Sequence, residues 1–343
     1  MRAARWGLLA VLLLAACDSA ASVAQPEAAI SCAAGSITGR GSSAQTNAVN
    51  AWIRDYQVAC SGATLAYDSV GSGAGRTGFI AGQGDFAGSD SPLSAPEQTA
   101  ADARCRTGSA IHLPMVVGPI ALAYNVAGVG DLRLRPATIA RIFAGSVTRW
   151  DDPAITADNP GVVLPATTIR PVHRADKSGT TDNFTRFLAA TADWQSGWPA
   201  RAGIAATGSN GVSAAVARTD GAIGYVEWSY ADFHNLATAR VGNGAGEFVA
   251  LTAEAAGRTV AAASTKGGDL QLVIDYGTTA AGAYPIVLVT YEIVCARGAG
   301  PLVKSFLAYT SSQPGQAAAA RLGYAPLPEE LRGKVAKAVA ELR

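Results

Sequence analysis

From His173 to Phe184 the chain reads His-Arg-Ala-Asp-Lys-Ser-Gly-Thr-Thr-Asp-Asn-Phe, which puts an arginine, a carboxylate, hydroxyls and a glycine ahead of Phe184, Phe187 and Leu188 at helical spacing. Residues of these types can hold a small anion. Backbone N–H groups at a helix start point at the ligand, and the helix dipole adds partial positive charge there. Arg174 offers a fork to two oxygens, and Asp176, two residues on, is placed to orient that guanidinium. An ordinary capped helix after a polar loop would read the same way. The weight therefore rests on whether other segments repeat the design.

They do. Gly41-Ser42-Ser43-Ala44 precedes Val49, Trp52, Ile53 and Tyr56, whose i, i+3, i+4, i+7 spacing marks an amphipathic helix with Ser43 at its entrance. Val70-Gly71-Ser72-Gly73-Ala74-Gly75 reads as a glycine-rich turn that brings backbone amides close to a ligand, with Ser72 in its middle. Gly88-Ser89-Asp90-Ser91-Pro92-Leu93-Ser94 ends a strand-like run, and Ser94 with Glu97 has capping-box spacing. Asp90 is then a carboxylate among donors. Phosphate near neutral pH keeps a P–OH hydrogen that it can give to Asp90, whereas sulfate has none and would set acceptor against acceptor at a cost of several kcal/mol. Asp90 would discriminate between the two; the alternative is a turn Asp ahead of a helix.

Gly39-Arg-Gly41-Ser-Ser43, Gly71-Ser72-Gly73, Ser89-Asp90-Ser-Pro-Leu, Trp150-Asp-Asp-Pro153, Arg174-Ala-Asp176-Lys-Ser178-Gly179-Thr180 and Gly221-Ala-Ile-Gly-Tyr225 resemble, in order and spacing from about Thr38 to the C-terminus, the periplasmic-type phosphate-binding proteins of ABC importers, the PstS family. The resemblance implies phosphate contacts from Ser43, the Ala44 backbone, Ser72, Asp90, Arg174, Ser178, Gly179 and Thr180, with Asp176 supporting Arg174. Better-known members have Thr in place of Ser43 and Phe in place of Ala44; the hydroxyl survives the first change and the amide the second. Lys177 stands where a small residue is common and could favour anion capture. The implied fold is α/β and two-lobed, of the type II periplasmic-binding kind, closing about a hinge crossed twice, near Val117 to Tyr124 and Tyr284 to Val289. Lobe one would join 32–118 with 286–343, and lobe two would be 119–285.

At 343 residues, with 49% hydrophobic and 15% charged, the chain is long enough for two cores. A net charge of +1 and the lack of a basic patch set nucleic acid aside. Strand-like runs (Thr64–Tyr67, Phe86–Ser89, Ile120–Asn125, Ile169–Val172, Ile223–Val226, Ile286–Ile293) alternate with helical ones such as Pro136–Ala144 and Thr180–Ala190, an α/β pattern. Pro301–Tyr309 and Leu331–Leu342 read as packing helices.

Arg2 and Arg5, the apolar run Leu8 to Leu14, and Leu14-Ala15-Ala16-Cys17 read as a signal peptide over 1–17 whose ending resembles a bacterial lipobox. The run is too short to span a membrane. Cleavage before Cys17 and lipidation of its thiol would anchor the chain on the extracytoplasmic face of the cell membrane, with 18–31 as a flexible tether. An ordinary secretory signal with an incidental cysteine is the alternative. Cys32, Cys60, Cys105 and Cys295 then suggest two disulfides, and four cysteines allow three pairings. The favoured one joins Cys60 to Cys105, and Cys32 to Cys295 as a long closure. Metal is disfavoured, with no Cys-x-x-Cys and with His112, His173 and His234 scattered. No cofactor is expected.

An exported serine hydrolase of the penicillin-binding type is the enzymatic rival, because Lys177-Ser178-Gly179 resembles its Lys-Thr-Gly element. That chemistry needs a serine three residues before a lysine, and the residues so placed before Lys177, Lys266, Lys304, Lys334 and Lys337 are Arg174, Ala263, Pro301, Leu331 and Lys334. Gly73-Ala-Gly75-Arg-Thr-Gly78 matches a dinucleotide fingerprint only formally. With no phosphate-binding loop of the ATPase kind, the permease and the ATPase would be partners. A receptor or sensor for another tetrahedral oxyanion remains the rival within binding proteins; Asp90 argues against sulfate and molybdate, not against arsenate.

Overall fold

The computed structural model describes residues 30–195, 198, 203–266 and 269–343. Cys17, the signal segment and nearly all of the expected tether lie outside the described residues. The chain runs β1 (Gly35–Gly41), α1 (Thr46–Ala59), β2 (Ala63–Ser69), α2 (Ser72–Ile80), β3 (Phe86–Ser89), α3 (Ala95–Cys105) and the long β4 (Ala110–Asn125). Next come β5 (Arg133–Leu134), α4 (Pro136–Phe143), α5 (Pro153–Asp158), β6 (Arg170–Arg174), α6 (Gly179–Thr191), β7 (Ile204–Ala206), α7 (Gly208–Arg218), β8 (Ala222–Glu227) and α8 (Trp228–Phe233). Then follow β9 (Ala237–Thr238), β10 (Arg240–Gly242), β11 (Phe248–Val249), α9 (Ala253–Ala261), β12 (Ser264–Lys266), β13 (Gln271–Val273), β14 (Val287–Cys295), α10 (Pro301–Thr310), α11 (Gln313–Ala320) and α12 (Glu329–Ala340).

One mixed sheet in the order β2-β1-β3-β14-β4-β8-β6-β7, with β9 against β4, forms the spine. Its sixteen-residue β4 is buried almost throughout, which is why it reads as a continuous apolar run rather than an alternating one. Its first half pairs antiparallel with β14 (Val287 opposite Pro119), and its second half pairs with β8 (Ile120 opposite Glu227). Two cores flank this changeover. The first collects side chains from Ile37 to Val117, Val287 and Val289 to Leu342, joined by Ala256 and Val260; the second collects Ile120 to Ala255 with Tyr276, Tyr284, Ile286 and Leu288, and takes in Ala44. Among the described residues no helix is long and apolar enough to cross a membrane.

The disulfides are Cys32–Cys60 and Cys105–Cys295, not the pairing expected from the sequence. Parallel pairing of β1 with β2 sets Gly35 opposite Ala63, so the chain entering β1 meets the end of α1, where Cys60 caps the helix. Cys295 lies opposite Ala110 on β4, beside the end of α3, which is Cys105. Each bridge therefore closes contacts that sheet register has already made.

Candidate functional site

Helix starts from both sides of the changeover converge on one point. From the first side come the β1–α1 turn with Ser42, Ser43 and Ala44, the start of α2 at Ser72, and Asp90 just beyond β3. From the second come the end of β6 at Arg174, the start of α6 at Ser178 to Thr180, and the start of α7. The stretch read as a glycine-rich turn is in fact the first turn of α2, entered through Gly71, whose φ of 88° suits glycine. The glycines serve close approach: a Cβ on Gly75 would lie 2.5 Å from the Gly41 Cα, and one on Gly73 equally near the Lys177 Cβ.

The contacts form a ring. Ser43 Oγ lies 3.0 Å from Ser209 Oγ and accepts the Ser209 N–H at 3.0 Å. Gly208 N–H donates to Asp176 Oδ1, whose carboxyl takes Arg174 Nε at 2.8 Å and Arg174 Nη2 on its other oxygen. Asp176 thereby engages two of the three Arg174 nitrogens. A Cβ on Gly71 would fall 2.5 Å from Asp176 Oδ2, and the Gly73 N–H reaches the Lys177 carbonyl at 3.0 Å. Ser72 Oγ donates to Asp90 Oδ2 at 3.1 Å, and Thr290 Oγ1 to Asp90 Oδ1 at 2.7 Å. Asn183 Nδ2 donates to the Asp90 carbonyl at 2.8 Å, tying α6 to the same loop.

Burial raises the Asp90 carboxyl above its ordinary range, against the pull of hydrogen bonds from Ser42, Thr290 and Ser72 and the charge of Arg174. Burial also pushes on Asp176, but its hydrogen bonds and charge pairing with Arg174 and the Gly208 N–H outweigh it, leaving that carboxyl below its ordinary range. Ser178 caps α6 by accepting the Thr181 N–H at 3.2 Å. Thr180 Oγ1 is buried without a hydrogen-bond partner among the described residues, a group whose desolvation a ligand oxygen would offset. Ser43, Ala44, Ser72, Asp90, Arg174, Asp176, Gly179 and Thr180 thus meet at one place, with Lys177 exposed at its rim. Sequence reasoning gave no role to Ser42, Gly208, Ser209 and Thr290, nor to Tyr225, whose hydroxyl accepts the Arg174 N–H at 3.2 Å. Thr207-Gly-Ser-Asn ahead of Val212 and Val216 carried a detectable helix-start signal; Thr290, inside an apolar strand, carried none.

Residues 26–314 match the PBP superfamily domain. The chain is 43% identical over 313 residues to the phosphate-binding protein PstS 3 of Mycobacterium leprae, covering 87% of this chain and 84% of that one. It is 40% identical over 358 residues to PstS 3 of Mycobacterium tuberculosis, covering 97% and 96%. A solved high-affinity periplasmic phosphate-binding protein, PfluDING, bound with phosphate, superposes with a TM-score of 0.71 at 26% identity over 88% of this chain and 93% of that one.

Proposed function

The chain belongs to the PstS family of phosphate-binding proteins within the PBP superfamily, and from that premise we propose that it captures inorganic phosphate outside the cytoplasmic membrane and delivers it to an ABC permease and its ATPase, acting as a receptor rather than an enzyme. The observation that carries this reading is the buried carboxylate of Asp90, set among donors and opposite Arg174. Arg174 neutralises the anion; Ser43, Ser178 and Thr180 give hydroxyl hydrogens, and Ser72 does so by turning its one hydrogen from Asp90 to the anion; the Ala44 and Gly179 amides add backbone donors. Asp90 accepts the P–OH hydrogen, and since each carboxylate oxygen has two lone pairs it has capacity beyond Ser72 and Thr290. Residues 32–118 with 286–343 form one lobe and 119–285 the other, and the anion is enclosed when they meet. Lipidated Cys17 holds the receptor at the membrane through the 18–31 tether.

Calorimetric titration of the ligand-stripped chain, begun at Asp18 and run at neutral pH with phosphate and then sulfate, tests the reading. Tight phosphate binding with little sulfate response is the expected result. A folded chain that bound neither would overturn it.

A further inference from the structure

Two tyrosines from opposite cores grip consecutive carbonyls at the entrance to α1. Tyr230, on α8 in the second core, donates its hydroxyl to the Ser43 carbonyl at 2.8 Å. Tyr324, beyond α11 in the first core, donates to the Ala44 carbonyl at 2.6 Å. In a trans peptide the C=O and N–H point to opposite sides, so fixing these carbonyls fixes the direction of the Ala44 and Gln45 N–H groups. The Ala44 N–H so aimed reaches Ser42 Oγ at 3.0 Å, and Ser42 also hydrogen-bonds the Asp90 carboxyl of the site.

The Tyr324 hydroxyl is itself held from the other side. Ser229 Oγ lies 3.2 Å from it, accepts Asn47 Nδ2 at 2.8 Å and is bonded to the wholly buried Glu227. The one Tyr324 hydrogen goes to the Ala44 carbonyl, and the Ser229 hydroxyl gives its own to Glu227.

We propose that Tyr230 and Tyr324 are positioning residues of the anion site, aiming the α1 amides at the ligand by holding the Ser43 and Ala44 carbonyls, and that the Tyr230 half forms only when the two lobes meet. This rests on the phosphate reading. The test is Tyr230→Phe and Tyr324→Phe, each titrated with phosphate by calorimetry, followed by stopped-flow rates and by melting without ligand. Each variant is expected to bind phosphate about fivefold to tenfold more weakly, the loss of one neutral hydrogen bond. For Tyr230→Phe the loss falls on dissociation, with association within about twofold and the ligand-free melting temperature within about 1 °C of wild type. Unchanged affinity in both variants overturns the inference while wild-type binding stands; so does a Tyr230→Phe loss explained by lowered ligand-free stability. A wild-type chain that binds no phosphate overturns the underlying reading, and the inference with it.

Discussion

Gly179 packs against Asp90 so closely that a Cβ on the glycine would sit 2.5 Å from the Asp90 Cβ and 2.7 Å from Ser72 Oγ. The two residues come from opposite sides of the sheet changeover, so the bare glycine backbone sets how far the lobes close. Gly179→Ala should weaken phosphate binding about 100-fold or more by propping the site open. Ligand-free stability should hold or rise slightly, because alanine suits a helix first turn better than glycine. Paired titration and melting check both halves.

Arg174 and Asp90 should separate affinity from choice. Arg174→Ala removes the guanidinium that any oxyanion meets, and about 1.5–3 kcal/mol should be lost for phosphate and sulfate alike. Asp90→Asn should chiefly erode the phosphate-to-sulfate ratio. Because burial raises the Asp90 carboxyl, the ratio should also fall on acidification, beginning at a pH above the ordinary carboxylate range, since a protonated Asp90 becomes a donor that sulfate can use. Competition titrations from neutral pH downward measure this; a flat ratio in wild type would exclude the carboxylate as discriminator.

Glu227 and Glu292 are both buried, and burial pushes each up to about 8. Below the ordinary glutamate range both folded and unfolded chains hold these protons, and the contribution to stability is complete. Between about pH 4.5 and 8 the unfolded chain sheds them first, so stability falls as pH rises, and the loss ends once the folded carboxyls ionise. Denaturant melts of the ligand-free chain at pH 5, 6.5 and 8 should show that decline, and Glu227→Gln or Glu292→Gln should each remove roughly half of it.

The two disulfides close very different loops, 28 residues apart for Cys32–Cys60 and 190 for Cys105–Cys295. Chain-entropy reasoning assigns them about 4 and about 5 kcal/mol respectively. Removing Cys105 and Cys295 as a pair of alanines should therefore cost more than removing Cys32 and Cys60, read as a larger drop in unfolding free energy, with the denaturant slope rising as the released unfolded chain expands.

The candidate anion site was legible in the sequence because its chemistry is local. A hydroxyl, glycine or carboxylate at a helix entrance, as at Ser43, Ser72 or Ser178 to Thr180, depends on neighbours a few residues away, and those are written in order along the chain. Short strand-like runs such as Phe86–Ser89 and helices with clean periodicity such as α6 followed from the same short-range logic. What the chain order could not supply was which distant segments touch. The parallel β1–β2 register, rather than any property of the cysteines, paired Cys32 with Cys60. The sheet placed Thr290 behind Asp90 from two hundred residues away, and the meeting of the two cores put Ser209 against Ser43 and set Tyr230 and Tyr324 on its neighbouring carbonyls. Residue types and local spacing decided that an anion would be held; only long-range packing, where strand register and buried volume select the partners, decided which side chains hold the holders.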